Sequence, residues 1–137
     1  GAYLNGERLL VDPVKHMKEA MVLFELGYER SEAGVDCILG GLKSLLLGGC
    51  RATRHLGSCV LSLCWVACGR GTAYYTGLSS EGGKPWDYAA GCIIAREAGA
   101  YLSSLQGTAF QIQGSSCLCA ATPELAREMM AALGTSK

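Results

Sequence analysis

The chain carries no excess charge of either sign, because 12 Lys and Arg balance 12 Asp and Glu. A surface that holds nucleic acid or an anionic membrane normally needs a basic excess, so neither partner is expected. No apolar run reaches the ~18 residues of a spanning helix, since Gly, Lys, Arg or Glu interrupts each one. The opening stretch GAYLNGERLLVDP lacks a basic segment followed by an apolar core and does not read as a signal peptide. His16 and His55 stand apart from any Cys or acid at zinc-binding spacing, and no Cys-x-x-Cys pair occurs. The eight cysteines sit elsewhere than in a metal pattern. Cys59, Cys64, Cys68 and Cys92 fall in apolar helical runs, where a free thiol behaves as a small hydrophobe. Cys117 and Cys119 alternate in a strand-like segment and share one face. Neither zinc nor a disulfide framework is expected, and a reducing compartment, the cytoplasm, is.

What is present suits one domain over residues 1–137, half of them apolar. Such a chain buries roughly two thirds of its unfolded surface. Asn5-Gly6 supplies the turn of a hairpin in the first eleven residues. Residues 20–27 form a continuous apolar run with a single acid, the pattern of a buried strand. Residues 32–47 have helical period, with Ile38, Leu42, Leu45 and Leu46 on one stripe and Gly48-Gly49 as the stop. A short strand then enters a helix near Gly57-Ser58, with Val60, Leu61, Cys64, Trp65 and Cys68 on its apolar side and Gly69 at its end.

TAYYTG reads as a strand, followed by a Gly/Ser loop over residues 77–84. Pro85 suits the first turn of a helix that ends near Gly99. Three short strands are expected over 101–104, 109–113 and 117–120. Thr122, Pro123 and Glu124 open a last helix that runs to about Leu133. Strands alternating with helices give an α/β fold, a layered sandwich of helices and a mixed, largely buried sheet.

In residues 87–98 apolar side chains cover nearly the whole circumference, which predicts a helix sandwiched between layers. Asp87 sits in its first turn. Two readings stand at this point. The acid complements the helix dipole, worth ~0.3–1 kcal/mol, or it lies at the mouth of a cleft to coordinate a hard cation, which prefers oxygen ligands. Ser58, three positions from His55, lacks a buried Asp for a triad and reads as a helix-start Ser. Arg54 is expected to pair with an acid such as Glu25 or Glu97.

The letters WDYAAGCIIAREAGA closely resemble the C-terminal signature of the inositol monophosphatase family, a Trp-Asp pair before a small-residue helix ending in Glu-Ala-Gly. GAYLNGERLLV resembles the family's Gly-Ala-x-x-Asn-Gly hairpin, MVLFELG its strand ending in Glu-Leu-Gly, and RHLGSCVLSLCWVACGRGTAYY its Arg-x-x-Gly-Ser/Thr-Ala helix with the following strand. The blocks keep the family order across nearly the whole chain.

The resemblance implies hydrolysis of phosphate monoesters with two or three Mg²⁺ ions and inhibition by lithium, a metal-bound water attacking phosphorus. It also implies that Asp87 is a metal ligand that faces a substrate hydroxyl, and that Gly57, Ser58 and Cys59 place backbone against the substrate ring. For Gly57 a simple tight turn is the equal alternative. Thr76 stands where the family often has a Glu that holds ring hydroxyls, Tyr28 where inositol enzymes often have Ser, and the loop before Trp86 is longer. These departures leave other polyol and sugar phosphates open.

The family's Asp-Pro-Ile-Asp-Gly-Thr motif does not occur: the one Asp-Pro, Asp12-Pro13, continues as Val-Lys-His. The chain therefore resembles the C-terminal half of such an enzyme and is expected to be inactive alone. Its partners would be a small phosphate monoester and either a second copy or the N-terminal half, since half of a layered fold exposes an apolar face. Two alternatives remain. One is a non-catalytic interaction or dimerisation module; the other is a phosphatase of the fructose-bisphosphatase or nucleotide-phosphate kind.

Overall fold

Asn5 and Gly6 adopt φ of 52° and 86°, the two left-handed conformations that a two-residue hairpin turn needs. They join β1 (Tyr3–Leu4) to β2 (Glu7–Arg8), with Tyr3 opposite Arg8. The structure is a computed structural model and describes residues 1–135.

A five-stranded sheet in the order β4-β3-β5-β7-β6 forms the centre. Its members are β3 (Met21–Phe24), β4 (Ala52–Arg54), β5 (Ala73–Thr76), β6 (Tyr101–Ser103) and β7 (Cys117–Ala120). β3 pairs parallel with both β4 and β5, and β7 runs antiparallel to β5 and β6. The sheet is mixed.

Side-chain alternation along these short strands divides the core in two. Val22, Phe24, Ala73, Tyr75, Leu118 and Ala120 point to one side and pack with α1 (Glu32–Leu47) and α4 (Pro123–Leu133). Leu23, Tyr74, Cys117 and Cys119 point to the other and pack with α2 (Cys59–Ala67) and α3 (Pro85–Glu97). The result is the layered helix–sheet–helix sandwich that the alternation of elements predicts. Each fully buried Leu or Val contributes about 1.5–3 kcal/mol relative to an exposed one.

Hydroxyl caps start three of the helices. Ser31 Oγ accepts from Gly34 N–H at 3.1 Å, Ser58 Oγ from Leu61 N–H at 3.3 Å and Thr122 Oγ1 from Leu125 N–H at 3.2 Å. Each such cap is worth about 1 kcal/mol. Where α3 crosses α2, a Cβ at Gly91 would lie 2.8 Å from Leu63 Cδ1 and 3.2 Å from the Val60 carbonyl. The missing side chain is what lets the two helices close.

The structure corrects several expectations. α2 buries Ser62, Leu63, Val66 and Ala67, while Leu61 is 56% exposed. The helix is apolar on almost every side, so hydrophobic period alone chose the wrong face. α3 buries Tyr88, Gly91, Cys92 and Ala95 on one face and leaves Ile93 61% exposed. It is therefore not enclosed all round. On α1, Gly41 lies on the buried stripe with Ile38 and Leu45, and Leu46 is exposed. Residues 109–113 make a single bridge, Ser103 to Ala109, and then a turn closed by Gly114 N–H on the Gln111 carbonyl. Arg54 donates to the Thr53 carbonyl at 2.8 Å, and the side chain that meets Glu25 is His55. No helix among the described residues is long and apolar enough to cross a membrane.

Candidate functional site

β4, β3 and β5 run side by side in one direction, so their C-terminal ends open on the same edge of the sheet. Ligand sites of open α/β sheets form on that edge. A cavity of about 750 Å³ lies there. Glu25 enters it from the end of β3, His55 from the end of β4 and Thr76 from the end of β5. Gly57, Ser58 and Cys59 bring in the start of α2, and Asp87 the first turn of α3. Gly57, Ser58, Cys59, Thr76 and Asp87, the candidate site residues of the sequence, thus line one cavity.

Each has a definite local role. Gly57 takes φ of 77° and turns the chain from β4 into α2. Cys59 is half-buried, and burial pushes its thiol pKa up. Thr76 is 2% exposed and presents a neutral hydroxyl where an acid would have been charged. Asp87 Oδ2 accepts the Lys84 N–H at 2.8 Å, and Asp87 N–H returns a bond to the Lys84 carbonyl at 2.8 Å. The dipole-complementing role is therefore real, and it uses one carboxylate oxygen.

Glu25, which the sequence offered only as an acid for Arg54, also lines the cavity. Its side chain is 10% exposed and lies 3.2 Å from His55 Nε2. Glu25 Oε1 accepts from Ser58 N–H at 3.0 Å and from Ser62 Oγ at 3.4 Å. This explains why a Ser occupies the buried face of α2. The one signal available was an acid at the end of an apolar strand. His55 stacks on Phe24, ring centroids 5.6 Å apart, and Phe24 stacks in turn on Tyr75 at 6.1 Å.

The opposite wall is the loop before α3. Gly83 N–H donates to Tyr88 Oη at 2.6 Å. Tyr88 is fixed edge-to-face against Phe110, centroids 5.5 Å apart. Lys84 and Arg30 add positive charge at the rim, opposing Glu25, Glu81 and Asp87.

Among the described residues no group of three or more His, Cys, Asp and Glu side chains is placed to hold a metal ion. Mg²⁺ asks for an octahedron of oxygens, and Glu25 is already engaged by His55 and Ser58. The residues of this chain do not by themselves fit such an ion.

The sequence model of the inositol monophosphatase family matches residues 1–137. The chain belongs to the inositol monophosphatase family. It is 37% identical to inositol monophosphatase 1 of Solanum lycopersicum over 137 residues, which are 100% of this chain and 48% of that protein. It is 34% identical to inositol monophosphatase 2 of Homo sapiens over 135 residues, 98% of this chain and 46% of that one. The solved inositol monophosphatase from Anabaena superposes with a TM-score of 0.83 at 25% identity, covering 95% of this chain and 50% of its own. This inositol monophosphatase-family chain spans about half the length of the curated relatives it matches. By their names those relatives are phosphatases.

Proposed function

We propose that residues 1–137 are one domain, the C-terminal half of a phosphomonoesterase that hydrolyses inositol monophosphate or a related polyol or sugar phosphate. The observation that carries this is convergence. Gly57, Ser58, Cys59, Thr76 and Asp87, spread over β4, α2, β5 and α3, line a single cavity at the ends of parallel strands. In this reading Asp87 gives one oxygen, Oδ1, to a Mg²⁺ ion whose other ligands lie outside the chain. The turn at Gly57 and the first residues of α2 place backbone against the substrate. Glu25 and Ser58 hold that turn in position. The chain alone is inactive.

Leu61, Trp86 and Ile93 are 56%, 78% and 61% exposed on α2 and α3. Apolar surface of that kind supports association, with the other half of such an enzyme or with a second copy. The many thiols packed as small apolar groups support a reducing compartment, and we assign the cytoplasm.

The test is phosphate release from inositol monophosphate in the presence of Mg²⁺. The chain is assayed alone and mixed with the N-terminal half of a full-length family member. Activity only in the mixture, lost with lithium and lost with Asp87→Asn, is the expected result. Turnover by the chain alone would refute the account of its missing ligands, and silence in both would favour a non-catalytic module.

A further inference from the structure

The loop between β5 and α3, residues 77–84, supplies Ser80, Glu81, Gly82, Gly83 and Lys84 to the cavity wall. A stretch so rich in Gly and Ser has little side chain with which to hold a shape. Its single apolar residue is Leu78, which packs against the core on the α1 side of the sheet.

A glycine makes the seat for that leucine. Gly is among the poorest residues for a helix interior, yet Gly41 lies on the buried stripe of α1. A Cβ there would fall on Leu78 Cδ2 and lie 3.3 Å from Leu133 Cδ2 on α4. The missing side chain opens the notch that Leu78 fills. Cys37, one turn earlier on α1, donates from Sγ to the Leu78 carbonyl at 3.5 Å. One helix therefore holds both the side chain and the backbone of Leu78. The neighbouring Gly40 is exposed, and a Cβ there would meet nothing within 4 Å.

The rest of the loop is packed too closely for Leu78 to move alone. Gly77 and Gly82 both press on the Ser115 carbonyl, and neither has room for a Cβ. The Glu81 carbonyl lies 3.1 Å from where a Cβ at Gly27 would sit, and both residues line the cavity. Gly83 N–H donates to Tyr88 Oη at 2.6 Å and Lys84 N–H to Asp87 Oδ2 at 2.8 Å. A shift at Leu78 passes along this short backbone to the residues that face a ligand.

We infer that Leu78 is a positioning residue for the cavity's ligand: seated on Gly41, it fixes where Ser80, Glu81 and Lys84 stand in the cavity wall. The inference rests on the phosphomonoester reading above and adds to it a residue that acts from behind the wall. Dense packing transmits strain, and substitutions that touch no ligand change binding by roughly two- to thirtyfold through such a linkage.

The experiment is equilibrium binding of inositol 1-phosphate and ribose 5-phosphate to this chain with magnesium present, together with amide hydrogen exchange at Gly83 and Lys84. Leu78→Ala empties the seat. Leu133→Ala removes a leucine from the same notch but outside the loop, and controls for lost packing. Leu78→Ala is expected to weaken binding about threefold or more and to speed exchange at both amides. Leu133→Ala should lose stability to urea with affinity and exchange unchanged. Leu78→Met, which keeps an apolar side chain of similar volume, should behave as the parent. Gly41→Ala, which fills the seat instead, should repeat the effect in smaller measure because the end of Leu78 can turn, and Gly40→Ala should not. Parent-like affinity in Leu78→Ala overturns the positioning role and leaves the phosphomonoester pocket standing. Equal losses of affinity in Leu78→Ala and Leu133→Ala also overturn it, since general loosening then accounts for both. If the parent binds neither phosphate ester, the phosphomonoester reading falls and this inference falls with it.

Discussion

The Glu25 carboxylate accepts the Ser58 N–H at 3.0 Å, tying the end of β3 to the N-cap residue of α2. The link is a hydrogen bond from a helix-start amide, which has no partner within its own helix, to a carboxylate with little exposure. Bonds of that kind are worth about 1.5–3 kcal/mol. Glu25→Ala should therefore lower unfolding stability by about 2 kcal/mol. Glu25→Gln, which keeps an accepting oxygen, should cost less than half as much. Urea midpoints of the three proteins decide it, and equal losses for Ala and Gln would mean that charge, not the bond, is what matters.

Asp87 behaves differently because its carboxylate has two separable tasks. Oδ2 closes the first turn of α3 on Lys84 N–H, a job that an Asn side-chain oxygen also does. Asp87→Asn should leave thermal stability within about 1 kcal/mol of the parent, the size of the lost charge–dipole term. Asp87→Ala also loses the hydrogen bond and should cost more. A large loss of melting temperature in Asn would show that the carboxylate is mainly a folding element.

Thiol reactivity should follow burial rather than sequence neighbourhood. Cys37 on α1 is exposed, whereas Cys117 and Cys119 are fully buried on β7, with Cys92 packed beside them. Burial first, and the neighbouring Cys92 after it, push Cys119 well above the usual thiol range. The contact between Cys92 and Cys117 holds Cys92 below that range and Cys117 above it. The reacting species is the thiolate, and it must also be reached by reagent. An aromatic disulfide reagent followed by peptide mapping should label Cys37 within the first time points. Cys117 and Cys119 should react only as the chain unfolds. Early labelling of Cys119 would contradict the packing of β7 between the two helical layers.

How much of this was legible in the sequence depends on the range of the interaction. Asn5-Gly6, Ser31, Thr122 and Pro123 act within a turn of chain, and each marked an element that the structure contains. Asp87, Gly57 and Thr76 were found through local blocks of letters, and the cavity gathers them. What escaped lies across strands. Leu23 is in register with Arg54 on β4 and Phe24 with Tyr75 on β5, and that pairing alone sets Glu25 beside His55 and near Thr76. No spacing rule joins residues 25, 55 and 76. The face of α2 was illegible for the opposite reason, since apolar residues on every side leave period without contrast.

Acid should act on the seam between α4 and the chain that precedes β3. Glu128 accepts Met17 N–H at 2.8 Å and His16 Nδ1 lies 2.9 Å from its other oxygen. The Met17 bond first, and His16 after it, hold the Glu128 pKa below its ordinary 4.5. A carboxylate depressed in the folded state stabilises above its unfolded pKa and loses that contribution as pH falls through the folded one. Glu128→Gln should accordingly be less stable than the parent at pH 7, by a modest amount because the group is exposed and screened. The gap should hold down to about pH 4.5 and close below it as the parent's carboxylate takes up its proton. Urea midpoints of both proteins between pH 7 and pH 3 provide the check. A gap that stays constant through the acid range would show that the seam is held by Glu128's shape and packing and not by its charge.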